Sequence, residues 1–326
     1  MPSLALVGDI MLGRGVNAQL RRKAPDEFWG STLPVLRAAD AVIGNLECAV
    51  TRHTAQWARS RKVFHFRADP TSIDLLKAAN VRCVSLANNH VLDHETEGLL
   101  ETLHHLDAAG IAHAGAGREA AEAIAPAVLD VAGLRIALIA ATDNQPDFAA
   151  GPERPGTCYF DIGHEPDALT RLKEVAARAR QGGAGLVVLS LHWGPNMVSE
   201  PPAEFRSFAR EALEFADLIH GHSAHVFQGV EQRGGRLVLY DTGDFLDDYA
   251  VDEWLRNDWS FVFLLDVTSE GRIQRLRMLP VVLEFARVDL AHGQQFREIC
   301  DTMIKRTRIF GTPLEQTSEG LELRVS

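Results

Sequence analysis

Seven residues able to bind a metal ion or move a proton stand just after short apolar runs: Asp9, Glu47, Asn89, His90, His192, His222 and His225. Asp241 closes one more such run. Carboxylates, an amide oxygen and imidazoles are suitable ligands for Mn²⁺, Fe, Zn²⁺ or Mg²⁺. A soft-metal site needs thiolates, and Cys48, Cys83, Cys158 and Cys300 form no CxxC pair. Each residue alone is more often a satisfied structural group than a ligand. Their convergence carries the argument, because buried charges are costly unless paired or metal-bound.

Convergence depends on the elements that hold these residues. Leu4–Val7, Ala41–Gly44 and Val81–Leu86 read as buried strands, since strands covered on both faces need no polar alternation. Leu186–Leu191 and Leu218–His220 read the same way and run into His192 and His222. Residues 127–131 and 134–140 flank Gly133 as a hairpin. Further strands are expected over 226–232, 236–241, 261–267 and 272–283. Helices are expected over 16–23, 73–79, 96–109, 166–181, 204–215 and 294–308; Leu99, Leu100, Leu103 and Leu106 repeat at helical spacing. The mixture predicts an α/β layered sandwich, with polar groups gathered beyond the strand C-termini. The Pro-, Gly- and Asp-bearing stretch 142–156 reads as a long loop. No Pro/Gly/Ser-rich linker divides the chain, so one domain over 1–326 is expected.

Composition bounds the function. Of 326 residues, 46% are hydrophobic, enough for a large core, and the net charge is -11. Such an acidic surface repels phosphate backbones, so no nucleic-acid partner is expected. No run of about 18 apolar residues occurs, and the start lacks the basic stretch of a signal peptide. A cytoplasmic protein with no membrane anchor is expected, its cysteines reduced and mostly buried.

Five segments resemble the CapA family of bacterial capsule and poly-γ-glutamate synthesis: Gly8-Asp-Ile-Met-Leu-Gly-Arg14, Gly44-Asn-Leu-Glu47, Ala87-Asn-Asn-His-Val-Leu-Asp93, His192-Trp-Gly194 and Gly221-His-Ser-Ala-His-Val-Phe-Gln228. Phe66-Arg-Ala-Asp-Pro70 and Phe310-Gly-Thr312 are also similar. The resemblance implies the αββα sandwich of the calcineurin-like metallophosphoesterases. It implies one or two divalent ions (Mn, Ca, Mg, Fe or Zn) held by Asp9, Glu47, Asn89, His192, His222 and His225. His90 matches the proton donor, and Asp93 is its candidate tuning partner; His94 reads as a plain helix-start residue. Asp241, Asp244 and Arg14 are further candidates. Three departures stand out. Met11 replaces a histidine of the general phosphoesterase pattern, Asn196 replaces a carboxylate, and Asp241-Thr-Gly-Asp-Phe245 replaces Ser-Leu-Gly-Asn-Phe. Extra carboxylate oxygen favours a hard ion such as Mg²⁺, Mn²⁺ or Ca²⁺. Asp247, Asp248 and Asp252 read as a solvated loop.

Three functions compete. The first is metal-assisted hydrolysis of a phosphoester or related bond, with His90 protonating the leaving group. A small anionic, peptide or polyglutamate substrate fits the resemblance. The second is Cα epimerisation of a peptide by His/Asp pairs. The third is a non-catalytic metal- or polymer-binding module, for which His90 has little use. Cys48 beside Glu47 reads as a packing residue, since a neighbouring carboxylate raises a thiol's pKa.

Overall fold

A computed structural model describes residues 1–162, 165 and 167–326. The strands that matter here are, in chain order, β1 (Ser3–Ile10), β2 (Ala41–Leu46), β3 (Val81–Ser85), β4 (Ala112–Ala114), β5 (Ala127–Val131), β6 (Leu134–Thr142), β7 (Leu186–His192), β8 (Leu218–His222), β9 (Val230–Arg233), β10 (Arg236–Leu239), β11 (Asp244–Leu246), β12 (Trp259–Val267) and β13 (Ile273–Glu284). The main helices are α1 (Leu33–Ala38), α2 (Ile73–Ala78), α3 (Glu95–Ala109), α4 (Ala168–Gln181), α5 (Ala203–Ala212) and α6 (Gly293–Thr307).

Two sheets form. In the first, β13, β12, β1, β2, β3 and β4 lie in that order, with β11 pairing β1. The β1–β2–β3–β4 run is parallel, while β12 and β13 are antiparallel additions. In the second, the order is β9, β10, β8, β7, β6, β5, parallel from β10 through β6. Strand alternation divides the apolar residues between layers. Leu4, Leu6 and Ile43 meet Ile136, Leu138, Val188 and Leu218 in one cluster between the sheets. Ala5, Val7 and Val84 point the other way, against Leu36, Leu75, Leu99, Leu103 and Leu106 of α1, α2 and α3. Ile139, Val187 and Leu189 likewise meet Leu172 and Val175 of α4 and Phe208 of α5. The result is helix, sheet, sheet, helix. Burying such a side chain contributes roughly 1.5–3 kcal/mol, which explains why the strands read as unbroken apolar runs.

Glycine permits one close approach that matters. A Cβ on Gly8 would stand 1.7 Å from the Gly243 carbonyl oxygen. Bare backbone there lets β11 lie beside β1 with Asp9 opposite Asp244.

Several expected boundaries move. The 226–232 strand starts only at Val230, because residues 223–229 form the loop bearing His225. The first helix is Arg14–Gln19, shorter than 16–23. The 166–181 helix runs Ala168–Gln181, and Pro166 lies outside the described residues. β4 and β11, three residues each, were not expected; strands so short show no alternation.

Candidate metal and acid–base site

The parallel strands of both sheets end at one edge, and register sets their terminal side chains in pairs. Asp9 stands opposite Asn45 on β2, and His192 opposite His222 on β8. Asp9, Glu47, His192 and His222 are all buried.

Two groups of ligand atoms result, each within 4.8 Å: Asp9 with His192 and His222, and Asp9 with Glu47, His225 and Asp244. The His192 and His222 Nδ1 atoms are 3.0 Å apart. Two nitrogens each about 2.1 Å from one ion stand roughly 3.0–3.4 Å apart, so the spacing suits joint ligation. Ser190 Oγ lies 2.9 Å from His222 Nε2, where it can accept that N–H and leave Nδ1 with its lone pair. Asn45 donates to Asp9 Oδ1 at 2.8 Å and holds it toward the cluster.

Asp9 Oδ2, Glu47 Oε1, Asn89 Oδ1 and Asp244 Oδ2 are buried with no hydrogen-bond partner. Native structures seldom leave several such oxygens together, and a cation is the simplest partner for them. The residues therefore fit a divalent metal. Electrostatics agree. Burial, with the charges of Asp244 and Asp241, raises the Asp9 pKa well above its ordinary value despite His225. Burial and Asp9 raise Glu47 to about 8. Burial, then Asp247 and Glu47, raise Asp244. His192 and His222 are held well below the usual imidazole range by burial first, then by neighbouring histidines. They are thus neutral, as ligands must be. His225 moves the other way: burial lowers it, but Glu47, Asp9 and Asp241 outweigh burial.

His90 follows β3 on a loop fastened by Asn88. Asn88 Oδ1 accepts the His90 and Val91 N–H groups, each at 3.0 Å, and its amide donates to Leu46 O at 2.8 Å. His90 Nδ1 lies 2.6 Å from Asp93 Oδ2, and Nε2 4.0 Å from Glu47 Oε1. Burial, then Lys62, push the His90 pKa well down. Burial lifts Asp93 to about 7 although Lys62 opposes it. The Lys62 side chain is 7% exposed, lies 3.3 Å from Asp93 Oδ1, and donates to the Asn89 carbonyl oxygen.

The cluster opens into a cavity of about 530 Å³ lined by Asn89, His90, His225, Phe66, Tyr249 and Arg14, among others. Arg14 sits at this cavity rather than among the ligand atoms; its Nε is 3.2 Å from Asp248 Oδ1. Asp241 also stays outside the ligand groups. Its oxygens accept the Ala224 and Gly243 N–H groups, at 2.8 and 2.7 Å. It thereby braces a loop in which Ser223 and His225 hold φ of 113° and 59°, a conformation that needs support. Met11 is buried, and its sulfur accepts the Gly13 N–H.

Asp247 and Asp248 are not solvated as expected. Asp247 is buried, and the Asp248 side chain is 6% exposed, accepting the Gly15 N–H and pairing with Arg14. Asp252 does cap a turn at Trp254 and Leu255. Cys48 is buried, and burial first, then Glu47, push its thiol to about 12, leaving it inert. Sequence reading passed over Asn45, Asn88, Lys62 and Tyr249. Asn45 and Asn88 lie within the Gly44–Glu47 and Ala87–Asp93 segments, so their position was a usable signal. Lys62 lies in an irregular loop that offers none.

A model of the bacterial capsule synthesis protein family, PGA_cap, matches residues 3–249. This chain belongs to that family. Among PGA_cap relatives, the capsule biosynthesis protein CapA of Bacillus anthracis is 29% identical over 98% of this chain and 74% of its own length. The PGA biosynthesis protein CapA of Bacillus subtilis is 30% identical over 78% of this chain and 64% of its own. A probable polyglutamine synthesis accessory protein of Mycobacterium tuberculosis is 28% identical, over 95% and 92%. A crystal structure of a candidate 5′-nucleotidase from Staphylococcus aureus, in complex with α-ketoglutarate, superposes with a TM-score of 0.51 at 13% identity, over 93% of this chain and 58% of that one. That likeness bears on fold alone. This PGA_cap chain shares the layered α/β fold of that structure. Among the described residues, no helix is long and apolar enough to cross a membrane.

Proposed function

We propose that this chain is a metal-dependent hydrolase acting on a phosphoester or related bond of a small anionic or polyglutamyl substrate. The observation that carries the reading is the buried set of partnerless oxygens on Asp9, Glu47, Asn89 and Asp244, beside a His90–Asp93 pair that faces the same cavity. Asp9, Glu47, Asn89, His192, His222 and His225 are the residues proposed to hold the metal. A bound divalent ion would supply Lewis-acid stabilisation and a water of lowered pKa.

The chain's own groups do the rest. Asp93 accepts the His90 Nδ1–H and fixes the ring so that Nε2 faces the cavity; the imidazolium stabilised by that carboxylate passes its Nε2 proton to the leaving group and is left neutral. Arg14 and Arg61 line the cavity and favour an anionic substrate. Phe66 stacks on His90 with centroids 4.0 Å apart and limits water on that face. The apolar cluster shared by both sheets supports a one-domain reading of the chain. The names of the CapA relatives support a substrate drawn from capsule or polyglutamate metabolism.

The test is release of p-nitrophenol from bis(p-nitrophenyl) phosphate, and of glutamate from γ-glutamyl oligomers, by metal-loaded protein. Metal-dependent release that His90→Ala abolishes supports the reading. No release from either substrate, with metal bound, contradicts it.

One observation favours a second reading. His225 Nδ1 lies 2.8 Å from Asp244 Oδ1, so the histidines of two His–Asp pairs line one cavity. Paired acid and base groups there suit removal and return of a proton α to a carbonyl. Deuterium uptake at Cα of a glutamyl peptide in heavy water, without hydrolysis, would select it.

A further inference from the structure

The two groups of ligand atoms share Asp9 but differ in kind. One adds two imidazoles, from His192 and His222. The other adds two carboxylates and one imidazole, from Glu47, Asp244 and His225. We infer that Asp244 is a metal ligand and that it makes the centre two unlike halves: a nitrogen-rich position for a borderline ion such as Zn²⁺, and an oxygen-rich position for a harder ion such as Mn²⁺. This rests on the metal-dependent reading above and adds to it which residue and which ion complete the centre.

The carboxylate-rich half is built rather than incidental. Asp244 and Glu47 are 0% exposed, and Asp9 is 1%. Each carries a buried oxygen without a partner: Asp244 Oδ2, Glu47 Oε1 and Asp9 Oδ2. Backbone register seats Asp244 opposite Asp9, and only a residue without Cβ at position 8 allows that approach. Three carboxylates this close repel strongly at low dielectric. His225 alone brings at most one positive charge against three negative ones. A divalent ion offsets what remains.

Ligand type then separates the halves. Imidazole pairs suit zinc or iron, and carboxylate-rich sets suit manganese or magnesium. Zinc generally outcompetes manganese at either kind of site, so filling must be ordered.

Chelator-treated protein is loaded with about one equivalent of Zn²⁺, then excess Mn²⁺, and desalted. Elemental analysis and the Mn²⁺ paramagnetic resonance signal are read on wild type, Asp244→Asn, Glu47→Gln and His192→Ala. Wild type is expected to keep both ions. Asp244→Asn is expected to keep zinc and lose manganese binding by about 10–100-fold, and His192→Ala to show the reverse preference. Circular dichroism checks that each variant folds; if Asp244→Asn does not, Glu47→Gln probes the same half. Full retention of manganese in the folded carboxylate variants overturns the inference and leaves Asp244 as a partner of His225 only. A wild type that binds neither ion overturns the inference and the proposed hydrolase together.

Discussion

His90 Nδ1 and Asp93 Oδ2 stand 2.6 Å apart, three residues from each other on the loop that follows β3. The same Asp93 oxygen accepts the Phe66 N–H at 2.6 Å, so the carboxylate ties the imidazole to a second segment of chain. Asp93 is therefore a positioning residue, and the ring it positions faces the cavity. Asp93→Asn keeps the shape but loses the charge and the preferred tautomer. Turnover of bis(p-nitrophenyl) phosphate is expected to fall about 10²–10³-fold, with KM changed less than about 3-fold. An equal loss in kcat and rise in KM would assign Asp93 to substrate binding instead.

Asn88 is expected to matter through stability as well as through turnover. Its side chain bonds His90 N, Val91 N, Asn45 Oδ1 and Leu46 O, all buried. Asn88→Ala strands several of these groups and should destabilise by about 2–4 kcal/mol. Urea denaturation measures it. A change under about 0.5 kcal/mol would show that water replaces the amide.

The metal-free protein should lose stability as pH rises above about 6.5. Glu47 goes from 4.5 to about 8 on folding, and Asp93 from 3.8 to about 7. Folding thus raises both pKa values, and the folded chain holds protons that the unfolded chain releases. Their contribution is complete below the unfolded values near pH 4 and is lost as pH climbs through the folded ones. Below about pH 6.5 His90, His192 and His222 oppose this slope, since unfolding lets these buried neutral rings take up protons; melting of the chelated protein should therefore move down between about pH 6.5 and 8. Adding divalent metal should flatten that slope. A metal-free Tm that rises across the window would contradict these shifts.

Much of this arrangement was legible because strand ends advertise themselves. An apolar run that stops at Asp9, Glu47, His192 or His222 reveals both the strand and what it delivers, since a doubly covered strand has no other reason to stop at a charge. Asp244 was harder. It belongs to a three-residue strand whose place is fixed by Gly8 on β1, a long-range fit that no local pattern encodes. Asp247 and Asp248 looked solvated because charge runs usually are, yet Arg14 and Gly15 bond Asp248 from elsewhere in the fold, and Asp247 is buried where it accepts the nearby Tyr249 N–H. Lys62 lay in a stretch without periodicity, and only the folded loop brings it to Asp93.

The most direct test of a metal centre at this sheet edge is the metal content of purified protein beside Asp9→Ala and His192→Ala. Near-stoichiometric divalent metal in the wild type, lost from both variants while their circular dichroism is unchanged, is the expected result. Folded wild-type protein that carries no metal, even after reconstitution, would contradict it and leave the histidines and carboxylates as an acid–base or binding site alone.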